Sequence, residues 1–393
     1  MKASKRSDIA PFIVMEVLEA ANARAAAGAD VMHLELGEPG GGPPPSALRA
    51  ARTALAEASL GYSEAFGLPD LRRRIARHYL ERYGVDLPPA RIALTVGASG
   101  AFILAFLAAF DAGDRVALAE PGYPAYRNIL KALGIEVVSL PVGFAERFQP
   151  APELLERAAP LDGLIIASPA NPTGTMLDDE ELARLARWCR DNGVRLVSDE
   201  IYHGITYGRP ADTVLRHDDR AVVVNSFSKF FCMTGWRLGW IVLPEDLRLP
   251  ALRLAQNLFI APPTISQHAA LGAFDDLPLL DARVDGYRRN RDRILTALAE
   301  AGLARVAPPD GAFYIYVDIG GLGSDAAAIS RRMLEEIGVA TTPGNDFDPV
   351  RGHRFLRISF AAEEPTVEEA CRRLVPWLRS RLAEAATERP AGG

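Results

Sequence analysis

SFSKFFCMTGWRLGW, residues 226–240, begins where the apolar run Ala221–Asn225 ends. A lysine just beyond a buried strand lies where open α/β sheets put their ligands, in the crevice at the carboxyl ends of the strands. Most lysines stay in water. The aromatic and small residues around Lys229 argue for burial, and desolvation lowers an amine's pKa and exposes a neutral nucleophile. Ser226, Ser228 and Arg237 add donors that suit a phosphate.

Outward from this segment, short β-branched runs alternate with helical stretches. The runs are Val116–Ala119, Val137–Leu140, Leu164–Ala167, Val194–Ser198, Ala221–Asn225 and Leu238–Leu243. Between them Ala98–Phe110, Pro124–Leu133 and Asp179–Asn192 have helical spacing. The rhythm predicts an α/β domain with a mainly parallel sheet covered on both faces. After Leu280 come a charged helix through Ala301, a strand Phe313–Ile319, a helix Ala326–Ile337, a strand Phe355–Phe360 and a helix Thr366–Ala385, which predict a smaller α+β domain. Residues 12–27 read as an amphipathic helix lying on another element and stopped by Gly28. GEPGGGPPP, residues 37–45, excludes helix and central strand and suits a crossing between domains. The expected organisation is a helix and crossing segment over 1–44, a large domain over 45–280 and a small domain over 281–393.

The composition excludes several classes. With 44 Lys and Arg against 50 Asp and Glu, the net charge is −6 and no long basic block offers a nucleic-acid footprint. No run of 18 apolar residues offers a membrane span, and Asp8, Pro11 and Glu16 interrupt any leader-like core, so a cytoplasmic protein is expected. Cys189, Cys232 and Cys371 are far apart and read as reduced thiols. The histidines form no ligand pattern, so no metal is expected.

Three more segments follow apolar strands. SPANPTGT, residues 168–175, reads by itself equally as a surface turn. In VSDEIYHG, residues 197–204, Asp199 is unfavourable beside a buried strand unless paired, for instance with a protonated ring nitrogen. TVGASGAF, residues 95–102, joins strand to helix through small residues, and the free N–H groups there suit a phosphate. Glycines at such a turn often serve only geometry.

Together, in order and spacing, these segments resemble the class I and II aminotransferases, the aspartate aminotransferase-like family of pyridoxal phosphate (PLP) fold type I. The likeness runs from about Pro11 to Leu382. It implies the cofactor pyridoxal 5'-phosphate, bound to Lys229 of the S-x-x-K segment as a Schiff base. It places Ser226 and Arg237 at the phosphate, with Ala98, Ser99 and Gly100 as the turn that cradles it. Asn171 of N-P-T-G and Tyr202 of D-x-x-Y are implied at the phenolic oxygen, Asp199 at the pyridinium nitrogen, and Tyr123 of PGYP against the ring. Arg357 of FLRISF is implied as the grip on the substrate carboxylate, and Gly37 lies where substrate approaches. Tyr62 matches a tyrosine lent by a neighbouring subunit, so a homodimer is implied.

The function expected from this resemblance is PLP-dependent transfer of an amino group between an L-amino acid and a 2-oxo acid. Lys229, Asp199 and Tyr202 are the expected catalytic residues. A carbon–sulfur β-lyase is the enzymatic alternative, because the same carbanion can expel a β substituent. A ligand-binding regulator on the same fold is the non-enzymatic one, but no DNA-binding segment is appended. No second arginine matches a distal carboxylate site, and Tyr123 stands where aspartate enzymes carry tryptophan, so neutral or hydrophobic donors are expected. His203 is read as a structural neighbour of Tyr202 rather than as a base.

Overall fold

The central strands consist of residues that belong in the interior. Leu164, Ile166, Leu196 and Val223 enter one core cluster, while Ile165, Val197, Val222 and Val224 enter another. Successive side chains of a strand point to opposite faces. A sheet buried on both faces therefore reads as unbroken apolar runs.

A computed structural model describes residues 1–323 and 325–388. Of the expected 281–393 segment, positions 324 and 389–393 lie outside the described residues. The chain opens with α1 (Ile13–Ala26), β1 (Met32–His33), α2 (Pro45–Glu57) and α3 (Pro69–Tyr83). There follow β2 (Ile92–Thr95), α4 (Gly97–Ala109), β3 (Arg115–Glu120), α5 (Pro124–Leu133), β4 (Glu136–Pro141) and α6 (Pro152–Ala158). Next come β5 (Gly163–Ala167), α7 (Asp179–Asp191), β6 (Arg195–Asp199), β7 (Val222–Ser226) and β8 (Gly239–Val242). The remainder is α8 (Glu245–Leu258), α9 (Thr264–Ala273), α10 (Leu277–Glu300), β9 (Tyr314–Asp318), α11 (Ala326–Ile337), β10 (Val339–Ala340), β11 (Thr342–Pro343), β12 (Phe355–Ser359) and α12 (Glu364–Glu388).

The seven-stranded sheet has the order β2-β8-β7-β6-β5-β3-β4. Strands β4, β3, β5, β6 and β7 pair in parallel, and β8 pairs antiparallel with both β7 and β2. The reversal has a local cause. No crossover helix separates β7 from β8, so the chain turns back through residues 227–238 and re-enters beside the strand it left. Ser226 faces Gly239 in register, and Phe227 donates to the Leu238 carbonyl at 3.1 Å. The loop carrying Lys229 is thus pinned at both ends.

Strands β11, β12 and β9 form a separate antiparallel sheet, and β1 pairs with β10 in parallel. Helix α1 buries Ala21 fully, in a cluster with Leu334 and Ala340 against which Val17 packs. Its first N–H groups are held from afar, Ile13 and Val14 donating to the Asp346 carboxylate at 3.1 and 3.3 Å. An acid at a helix N-terminus satisfies orphan donors and complements the dipole. Among the described residues no helix is long and apolar enough to cross a membrane.

Candidate active site

A cavity of about 390 Å³ lies at the carboxyl ends of the parallel strands. The start of α4 brings Ala98 and Ser99, the turn after β3 brings Tyr123, and the turn after β5 brings Asn171. The end of β6 brings Asp199 and Tyr202, and the loop after β7 brings Ser228, Lys229 and Arg237. Opposite them stand Leu36, Gly37 and Glu38, together with Tyr314 of β9 and Arg357 of β12. Two sheets therefore meet across one opening.

Lys229 donates from Nζ to the Gly37 carbonyl, and Nζ lies 5.9 Å from the Phe313 ring centre. Burial, helped by the nearby positive charge of Arg357, pushes its pKa down to about 8. A useful fraction of the amine is then neutral near neutrality. Gly37 is required here, because a Cβ at that position would collide with the Tyr314 hydroxyl.

Asp199 is 4% exposed. Oδ2 accepts from the Tyr126 hydroxyl and Oδ1 from the Ile201 N–H at 3.0 Å. Burial raises its pKa to about 6, partly offset by those two donors and by Lys229. A cation on its open side would restore full ionisation.

The opposite end of the cavity is built for an anion. Helix α4 starts without a side-chain cap, so its first N–H groups have no partner within the helix. The guanidinium of Arg237 lies against that turn so closely that a Cβ on Gly97 would collide with it. Arg237 and Cys232 have φ of 49° and 53°, in the left-handed region that side chains disfavour. Such strain collects at functional sites.

Arg357, 3% exposed, donates from Nη1 to Asn171 Oδ1 at 2.9 Å and from Nη2 to the Glu35 carbonyl. Its carbon lies 4.5 Å from the centre of the Tyr314 ring and 4.7 Å from that of Phe347. Nε is buried and has no partner among the described residues. The Tyr202 and Tyr314 hydroxyls are 2.8 Å apart, and burial raises the pKa of both phenols.

Comparison with known proteins supplies the family. The profile described as "Aminotransferase class I and II" matches residues 29–374. The chain belongs to that family. It is 49% identical over 382 residues to a valine–pyruvate aminotransferase of Mycobacterium tuberculosis, with 95% of this chain and 98% of the relative covered. An aspartate/prephenate aminotransferase of Thermus thermophilus is 34% identical over 356 residues, covering 88% and 90% of the two chains. A crystal structure of an aminotransferase from Mycobacterium tuberculosis matches with a TM-score of 0.95, 47% identity and coverage of 97% and 100%. The Thermus thermophilus aspartate aminotransferase with maleate matches with a TM-score of 0.90, 32% identity and coverage of 96% and 99%. These likenesses carry the fold, PLP fold type I, and the reaction class. The protein is an enzyme of amino-acid and 2-oxo-acid transamination.

Three residues expected in the site of this aminotransferase lie off its cavity lining. Gly100 is buried inside the first turn of α4. Ser226 is buried, and its hydroxyl donates to the Leu238 carbonyl at 3.0 Å and lies 2.9 Å from Ser228 Oγ. Ser228, two residues on, lines the cavity. Tyr62 stands 84% exposed outside it.

Several lining residues went unrecognised in the sequence. Tyr126 and Tyr314 fall within the expected helix Pro124–Leu133 and strand Phe313–Ile319, and Phe12, Val14 and Met15 within the helix expected over 12–27, with no role in a site. Both ring nitrogens of His203 are engaged, Nε2 with the Ser168 carbonyl at 3.0 Å and Nδ1 with the Tyr83 hydroxyl at 2.9 Å. Burial pushes its pKa down to about 3, so it is a neutral ring. The fold also brings His217 Nε2 to 2.9 Å from Asp179, with Asp212 nearby, a grouping that sequence spacing does not reveal. Arg216 pairs with Asp212 at 2.7 Å.

Proposed function

We propose that this aminotransferase holds PLP on Lys229 and transfers the amino group of a neutral, branched amino acid such as valine to a 2-oxo acid such as pyruvate. The donor groups present fit the cofactor. A partly neutral amine suits an aldehyde, a buried carboxylate suits a ring nitrogen, and an uncapped helix start beside Arg237 suits a phosphate.

When bound, PLP supplies the electron sink that makes the substrate α proton acidic. Lys229 Nζ, set free by the incoming amine, takes that proton and returns it. Asp199 keeps the ring nitrogen protonated, and Tyr126 and the Ile201 N–H hold its carboxylate in place. The Arg357 contact leaves the Asn171 amide N–H groups free for the phenolic oxygen, beside the Tyr202 hydroxyl. Ser228, Ser99 and the α4 N–H groups would hold the phosphate, with Ser226 fixing Ser228. Tyr123, in the cavity lining, would flank the ring.

The choice of donor rests on one observation. Once Lys229, Arg237 and Arg357 have these roles, no cation remains in the lining for a second carboxylate, whereas Phe12, Val14, Met15, Leu36 and Ile201 offer an apolar wall. The test mixes the PLP-loaded enzyme with single amino acids and follows product. Stoichiometric oxo acid, faster from valine than from aspartate, is expected. Catalytic release of ammonia and pyruvate from a β-substituted amino acid would instead favour the lyase.

Arg357 grips the α-carboxylate, so Arg357→Lys should lower kcat/KM for every amino acid by about 30-fold, because a planar two-point contact becomes one point. PLP occupancy should stay close to that of the parent enzyme. An equal loss for an amine without a carboxylate would mean that Arg357 only joins the two sheets.

A homodimer that shares Tyr62 belongs to the same reading. Thr264 Oγ1 donates to the Gly61 carbonyl at 2.7 Å and holds the loop on which Leu60 and Tyr62 are exposed, apolar groups suited to contact with a second copy. Mixing Tyr62→Ala with Lys229→Ala chains should restore part of the activity, and a fully active monomer would refute the sharing. The division into 45–280 and 281–393, with 1–44 on the small part, is supported by the β1–β10 pair and by the Asp346 contact to α1.

A further inference from the structure

A second cavity, of about 170 Å³, lies on the seam where the segment after β4 meets the β11-β12-β9 sheet. Its wall is aromatic. Tyr316 stacks on Phe355 with centres 4.6 Å apart and planes 4° apart, and Phe148 meets Phe355 edge-on at 88°. Its rim is cationic. Arg305 and Arg354 share Asp318 at 3.3 and 3.4 Å, and Arg351 pairs with Asp348 at 2.8 Å, leaving three guanidinium groups against two carboxylates. The Tyr316 hydroxyl, on a residue 0% exposed that lines this cavity, has no partner among the described residues. A Cβ at Gly344 would lie 2.8 Å from that hydroxyl and 2.5 Å from the Gly352 carbonyl oxygen, so the backbone packs against the hydroxyl only because the residue is glycine.

A buried donor without an acceptor costs free energy, and a ligand that accepts from it recovers that cost. An excess guanidinium charge and an unpaired hydroxyl select an anion, and the rings select an apolar body. A cavity of ~150 Å³ takes a benzene ring.

We infer that this cavity is a second binding site, for a small monocarboxylate with a planar apolar body. The carboxylate accepts from the Tyr316 hydroxyl and the arginine rim, and the body lies against Phe148 and Phe355. None of these residues lines the site of amino transfer.

The test is calorimetric titration of benzoate into the enzyme as purified, with and without saturating valine, on the parent chain, Tyr316→Phe and Arg354→Gln. A benzoate that valine does not displace, bound about tenfold or more weakly by each variant, is expected. Tyr316→Phe deletes only an unpartnered hydroxyl, so its Tm without benzoate should equal or exceed that of the parent, and its KM for valine should be unchanged. Benzoate displaced by valine, or bound equally by Tyr316→Phe, would overturn the site. Acetate or inorganic phosphate binding as tightly as benzoate would overturn the ligand class.

Discussion

Lys229→Ala is expected to lower amino transfer by at least ~10⁴-fold, the upper range for removal of a positioned acid–base group. The loss should exceed that of any other single substitution, because this side chain is both the covalent anchor and the proton carrier. Its surroundings explain why another residue does not take over. Burial and the Arg357 charge bring the amine to about 8, whereas His203, next to Tyr202 in the chain, is neutral and bonded through both nitrogens. PLP should still bind, since Arg237, Ser228 and the α4 N-terminus are untouched. Steady-state rates measured with cofactor content check both halves, and a variant retaining a tenth of the activity would remove Lys229 from the mechanism.

Asp199→Asn is expected to slow the half-reaction by roughly 10- to 10²-fold, which corresponds to loss of a charge-assisted hydrogen bond of about 1.5–3 kcal/mol in a dry site. The amide retains shape and keeps contacts for Tyr126 and Ile201, so occupancy should change little. It lacks the negative charge that keeps a ring nitrogen protonated. Single-turnover spectra with valine measure the effect. An unchanged rate at equal occupancy would make the Asp199 carboxylate merely structural.

The sequence made the fold legible because parallel strands buried on both faces leave continuous β-branched runs, and the runs of β3, β5, β6 and β7 lead into segments that carry Tyr123, Asn171, Asp199 and Lys229 to the cavity. The reversed hand of β8 was less visible, since an apolar run looks the same in either direction. Asp199 and Lys229 stood out because a charged group close after such a run needs a partner, whereas Asn171 and Arg237 took their roles from the family resemblance. Tyr126 and Tyr314 were hidden because a buried tyrosine in a helix or strand reads as packing, and its hydroxyl partner lies far along the chain, 73 residues away for Asp199 and 112 for Tyr202. Ser226 and Ser228 differ in the direction of their hydroxyls, which spacing does not encode. The contribution of Phe12 and Met15 depends on Asp346 holding the start of α1, a contact across 333 residues.

The most direct measurement is borohydride reduction of the PLP-loaded enzyme followed by peptide mapping. The sequence holds four lysines, Lys2, Lys5, Lys131 and Lys229, and the first three are exposed. One pyridoxyl label per chain is expected, on the peptide containing Lys229. A label on Lys131, Lys2 or Lys5 with Lys229 unmodified would contradict it.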